Sequence, residues 1–67
     1  MRSKFDEQLE LLNVELIKMG SLCEDAISSA VRALLENDRK LAQDVFLIDG
    51  EIDQMERDIE SLCMKLL

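Results

Sequence analysis

Apolar residues recur along this chain at the spacing of a packed α-helix. Phe5, Leu9, Leu12, Leu16, Met19, Cys23, Ala26, Ala30 and Ala33 step by alternating fours and threes. After Glu36, Asn37 and Asp38 the stepping resumes with Leu41, Val45, Ile48, Ile52, Met55, Ile59, Leu62 and Leu66. A mean step of about 3.5 residues lies close to the ~3.6 residues of a helical turn, so each stripe keeps one face pointed at a neighbour. The pattern predicts a helix over residues 3–36, a turn at 37–38 and a helix over 38–67, one hairpin unit spanning 1–67. A connection this short makes the two helices antiparallel neighbours. The fold class expected is all-α, with a packing interface at Leu9, Leu12, Leu16 and Met19 on the first helix and Ile48, Ile52, Met55 and Ile59 on the second.

The helix ends carry their own signals. Ser3 is placed to cap the first helix, with Asp6 and Glu7 meeting the free N–H groups and the positive end of the dipole. Asn37 suits the left-handed conformation of a helix stop, and Asp38 can cap the second helix. Gly20 and Gly50 interrupt strong helix formers at a cost of about 1 kcal/mol each relative to alanine. They fit tolerated positions, or places where another helix approaches closely, better than hinges.

The apolar surface is wider than one seam. Ile17, Ile27, Val31, Leu34 and Leu35 broaden the first helix on one flank, Leu11 and Leu22 on the other, while Phe46 and Leu47 lie away from the second helix's seam. A stripe this broad belongs to a helix with two neighbours. The hairpin is therefore expected to complete a three- or four-helix bundle, through a helix missing from these residues or through a second copy in a homodimer. A unit of 67 residues also has too small a core to be comfortable alone.

Charge narrows the partners. Fifteen acidic residues against eight basic ones give a formal net charge of −7, which repels phosphates and anionic lipid and argues against nucleic acid or direct membrane insertion. No stretch approaches the roughly 18–20 apolar residues of a membrane span, and the N-terminus has no apolar signal core. The expected compartment is the cytoplasm. Cys23 and Cys63 fall near the seams as small buried hydrophobes, offset by about 16 Å along the hairpin and so beyond disulfide reach. With no histidine, two distant cysteines make no zinc site.

On the second helix Asp49, Asp53, Glu56 and Glu60 are spaced i, i+4, i+7 and i+11, which stacks four carboxylates along a flank roughly 70–130° from the seam. Neighbours three or four apart have Cβ atoms about 5–6 Å apart, close enough to share a cation and close enough to repel without one. Mg²⁺, Ca²⁺, Mn²⁺ or iron accept such all-oxygen ligation. The same spacing also describes a solvated flank on an acidic protein. Across the hairpin, Glu24 is level with these residues and is a further oxygen donor if the handedness places it on the same flank. Enzyme signatures are absent: there is no histidine base, phosphate-binding glycine loop, Walker lysine or nucleophile elbow, and catalysis is not expected.

Residue order adds a resemblance. Arg2-x-x-Phe5-Asp6-x-x-Leu9-x-x-Leu12-Asn13-x-x-Leu16-x-x-Met19-Gly20, then Ala26-Ile27 and Ala30-Val31-x-Ala33-Leu34, resembles the first helix of PhoU proteins, the regulators of high-affinity phosphate uptake. Asp38-x-x-Leu41-Ala42-x-x-Val45, followed by Asp49-x-Glu51-Ile52-Asp53-x-x-Glu56-x-x-Ile59-Glu60, resembles the second helix. The resemblance implies a cytoplasmic all-α regulator from a family built of two three-helix bundles. It also implies negative regulation of phosphate uptake and phosphate-starvation signalling, with a phosphate ABC transporter ATPase and a sensor kinase as partners. The family's (Glu/Asp)-x-x-x-Asp motif, which holds metal clusters, coincides with Asp49 and Asp53, so a divalent or iron ion is the implied cofactor; Glu56 and Glu60 are candidates by geometry only. A family member continues beyond the position of Leu67 to a third helix with a second acidic motif. The competing expectation is a structural coiled-coil hairpin that dimerises into a four-helix bundle with no metal role.

Overall fold

Three polar side chains decide where the helices start and stop in the computed structural model, which describes residues 2–67. Ser3, extended at φ −81° and ψ 165°, accepts a hydrogen bond from the Asp6 N–H at 3.1 Å, while the Asp6 carboxylate accepts from the Ser3 N–H at 3.3 Å. This reciprocal pair satisfies two otherwise free donors, and α1 runs from Lys4 to Glu36. Asn37 stops it in the left-handed region, at φ 52° and ψ 44°, the only positive φ among the described residues. Its short amide side chain tolerates this conformation, which penalises most L-residues. The turn then lets the Asp38 N–H reach back to the Ala33 carbonyl at 3.0 Å, a helix-terminating bond across five residues. Asp38 accepts from the Leu41 N–H at 3.0 Å and opens α2, Arg39–Leu66. Both helices begin one residue later than their periodicity suggests, because Ser3 and Asp38 are spent on capping, and Leu67 is the C-cap of α2.

The helices pack antiparallel into a hairpin of 53 × 18 × 13 Å. Its smallest dimension is about the width of a single helix, so the fold is one layer deep. The accessible surface of 5478 Å² exceeds by roughly 1,100 Å² the ~4,300 Å² of a compact monomer of this mass. Ala33, 8% exposed and close to the turn, is the one buried residue among those described. The other residues that line the contact are half-buried.

On α2 the half-buried residues include all eight of the heptad stripe, Leu41, Val45, Ile48, Ile52, Met55, Ile59, Leu62 and Leu66. On α1 the stripe is only partly covered. Leu12, Met19, Cys23, Ala26, Ala30 and Ala33 are in the seam, whereas Phe5, Leu9 and Leu16 are 52%, 43% and 44% exposed. Gln8 and Glu15 are half-buried in their place, with Leu22 and Ser29 farther along. The physical reason is the mismatch between about 3.6 and 3.5 residues per turn. Without full supercoiling, a strict heptad drifts by ~20° each repeat. Counting back from Ala33, that drift carries Leu16 and Leu9 off the contact and brings Glu15 and Gln8 onto it.

If the turn fixes the hairpin as described, Asn37→Val should lower its stability by about 1–2 kcal/mol, the cost of a β-branched residue at positive φ. Asn37→Gly should leave stability unchanged or slightly raised. Urea unfolding followed by circular dichroism checks both.

Candidate protein-interaction face and acidic rim

Two grooves run along the hairpin, one on each face, and their linings establish which flank of α1 accompanies which flank of α2. Near the turn, Ala30, Ala33 and Leu34 line a concavity of about 410 Å³ with Ala42 and Val45. On the opposite face, nearer the chain ends, Leu11 and Glu15 line a second one with Asp58, Ser61, Leu62 and Lys65. In an antiparallel pair, flanks reached by counting in the same direction lie on the same face. The face marked by Leu34 and Ala42 therefore also carries Leu9, Leu16, Gly20, Ile27 and Val31 from α1. From α2 it carries Phe46 near the turn and Asp49, Asp53, Glu56 and Glu60 beyond it.

This face is open and apolar. Leu34 and Phe46 are 83% and 82% exposed, and Ile27 is 67% exposed. A Cβ built on Gly20 meets nothing within 4 Å, and the same holds for Gly50. Leu11, Val14 and Leu47, exposed on the other face, stand among charged residues.

Charge divides in the same way. All four lysines, Lys4, Lys18, Lys40 and Lys65, together with Arg32, belong to the second face by helical position, whereas Arg39 lines the concavity of the first face near the turn and Arg57 lies beside the acidic row, one turn from Asp53 and Glu60. On the second face Lys18 pairs with Glu15 at 3.6 Å and Arg32 with Glu36 at 3.8 Å. Gln54 Nε2 donates to Asp58 at 3.1 Å, and Arg57 donates to Gln54 Oε1 at 3.4 Å. Such exposed pairs stabilise little, and Lys4, Lys40 and Lys65 have no ion pair among the described residues. Arg2 pairs with Glu10 at the N-terminal end of α1. The carboxylates of Asp49, Asp53, Glu56 and Glu60 have no ion pair or hydrogen bond among the described residues.

The candidate oxygen donors thus form a line. Asp49 and Asp53, one turn apart on α2 and both exposed, are neighbours, and Glu56 and Glu60 extend the same rim. Glu24 lies on the outer side of α1, across the apolar groove from that rim. No group of three or more His, Cys, Asp or Glu residues is gathered for a metal ion among the described residues. Cys23 and Cys63 are free and half-buried. Of the expected seam, Leu12, Met19, Ile48, Ile52, Met55 and Ile59 lie between the helices, and Leu9 and Leu16 edge the open face. That the apolar flank of α1 and the acidic flank of α2 share one face was available from antiparallel geometry, once the direction of counting is followed around both helices.

The family model described as PhoU domain matches residues 16–67. The chain is 42% identical over 64 residues to the phosphate-specific transport system accessory protein PhoU homolog of Pseudomonas putida, covering 96% of this chain and 25% of that protein. The homolog of the same name from Pseudomonas aeruginosa gives 42% identity over 64 residues, 96% of this chain and 26% of the relative. That of Clostridium acetobutylicum gives 35% over 66 residues, 98% and 30%. The chain spans about a quarter of the length of the Pseudomonas relatives. No solved structure matches it.

The two glycines report on the open face separately. Gly20 stands on it, and Gly50 stands on the outer side of α2, away from both the seam and the groove. In the hairpin alone, Gly20→Ala and Gly50→Ala should each raise stability by roughly 0.5–1 kcal/mol. With another helix seated in the groove, Gly50→Ala should keep that gain and Gly20→Ala should lose it, as read by urea unfolding of each variant.

Proposed function

The chain belongs to the PhoU domain family, and from that membership we propose that it is a helical module of a phosphate-transport accessory protein, acting through protein contacts to restrain phosphate uptake and phosphate-starvation signalling. The observation that carries this reading is identity of 42% across 96% of the chain to relatives named as phosphate-specific transport system accessory proteins. No helix among the described residues is long and apolar enough to cross a membrane. Under this reading a transporter ATPase and a sensor kinase are the partners, and the compartment is the cytoplasm.

The mechanism is a population shift. A module that binds one conformation of a partner more tightly than another moves the equilibrium by that difference in affinity, with no chemistry of its own. Apolar side chains such as Leu34 and Phe46 would supply contact area. The carboxylates of α2 would set orientation through charge, whose cost when mispaired rejects wrong dockings.

The second part of the proposal concerns metal. Asp49 and Asp53 would supply carboxylate oxygens, with Glu56 and Glu60 behind them, and the bound ion would supply positive charge to a row of repelling anions. The donor set fits a partial site: two neighbouring carboxylates suit a hard cation, which takes about six or more oxygens in all. The remaining donors would come from outside this hairpin.

Grafting residues 3–66 in place of the matching segment of the Pseudomonas aeruginosa relative should preserve repression of phosphate-starvation genes at high phosphate. A fully derepressed reporter, with the graft present at normal levels, would reject the proposed function. For the metal, added Mn²⁺ should raise the melting temperature of the chain, and Asp49→Asn combined with Asp53→Asn should remove that rise. A metal-free gain of about 0.2–0.5 kcal/mol in the double variant, with no response to Mn²⁺ in either protein, would instead mark the flank as solvated surface relieved of like-charge repulsion.

A further inference from the structure

We draw no further inference here: the strongest candidate, the concavity on the second face between Leu11 and Glu15 of α1 and Asp58, Ser61 and Lys65 of α2, is an open surface cleft in which Glu15 already pairs with Lys18, and nothing in the structure shows what covers it.

Discussion

The left-handed residue at Asn37 is the constraint from which the rest of the hairpin follows. With a single positive φ and the Asp38 N–H bonded back to Ala33, the chain reverses with no slack. A longer connection would let α2 slide or swing. This one fixes antiparallel direction, register and the face on which each flank appears. The level pairs Leu34 with Ala42 and Leu11 with Lys65 are consequences of that turn carried along two stiff helices. Small residues accompany it too: Ala26, Ala30 and Ala33 sit where the helices leave the turn, and among the described residues only Ala33 is buried.

One layer of helices cannot enclose a core. A seam between two cylinders covers about half of each side chain in it, and the rest of every apolar stripe must face water or another element. In this chain that uncovered remainder is not spread evenly. The lysines with the Lys18–Glu15 and Arg32–Glu36 pairs belong to one side of the layer, and Ile27, Leu34 and Phe46 with Arg39 and the carboxylates of Asp49, Asp53, Glu56 and Glu60 belong to the other. Two physically different surfaces result, one bearing all the lysines, the other apolar with a row of carboxylates along a single edge. The polarity of the hairpin, rather than any one residue, makes this chain specific about what it can meet.

Much of this was legible in the residues. The eight-residue stripe of α2 reads directly as its buried side, and Ser3, Asn37 and Asp38 mark the helix limits to within one position. The resemblance carried by Met19-Gly20 and Asp49-x-Glu51-Ile52-Asp53 agrees with the family match over residues 16–67, and relatives align across 96% of the chain. What periodicity alone could not supply was the path of the seam along α1. A heptad read as perfectly regular keeps Leu9 and Leu16 inside, whereas a helix that retains its natural pitch rotates them outward. The acidic row was equally plain as spacing, but its relation to the apolar flank depends on the sense in which two antiparallel helices face each other.

The level pairing also orders the contacts by the length of chain each encloses. Ala33 and Ala42 line one concavity across a loop of a few residues, whereas Leu11 and Lys65 line another only after nearly the whole chain has turned back. Loop-closure entropy grows with enclosed length, so contacts near Asn37 cost least to close and contacts far from the turn cost most. Loosening runs the other way, beginning where the enclosed loop is longest and reaching the turn last.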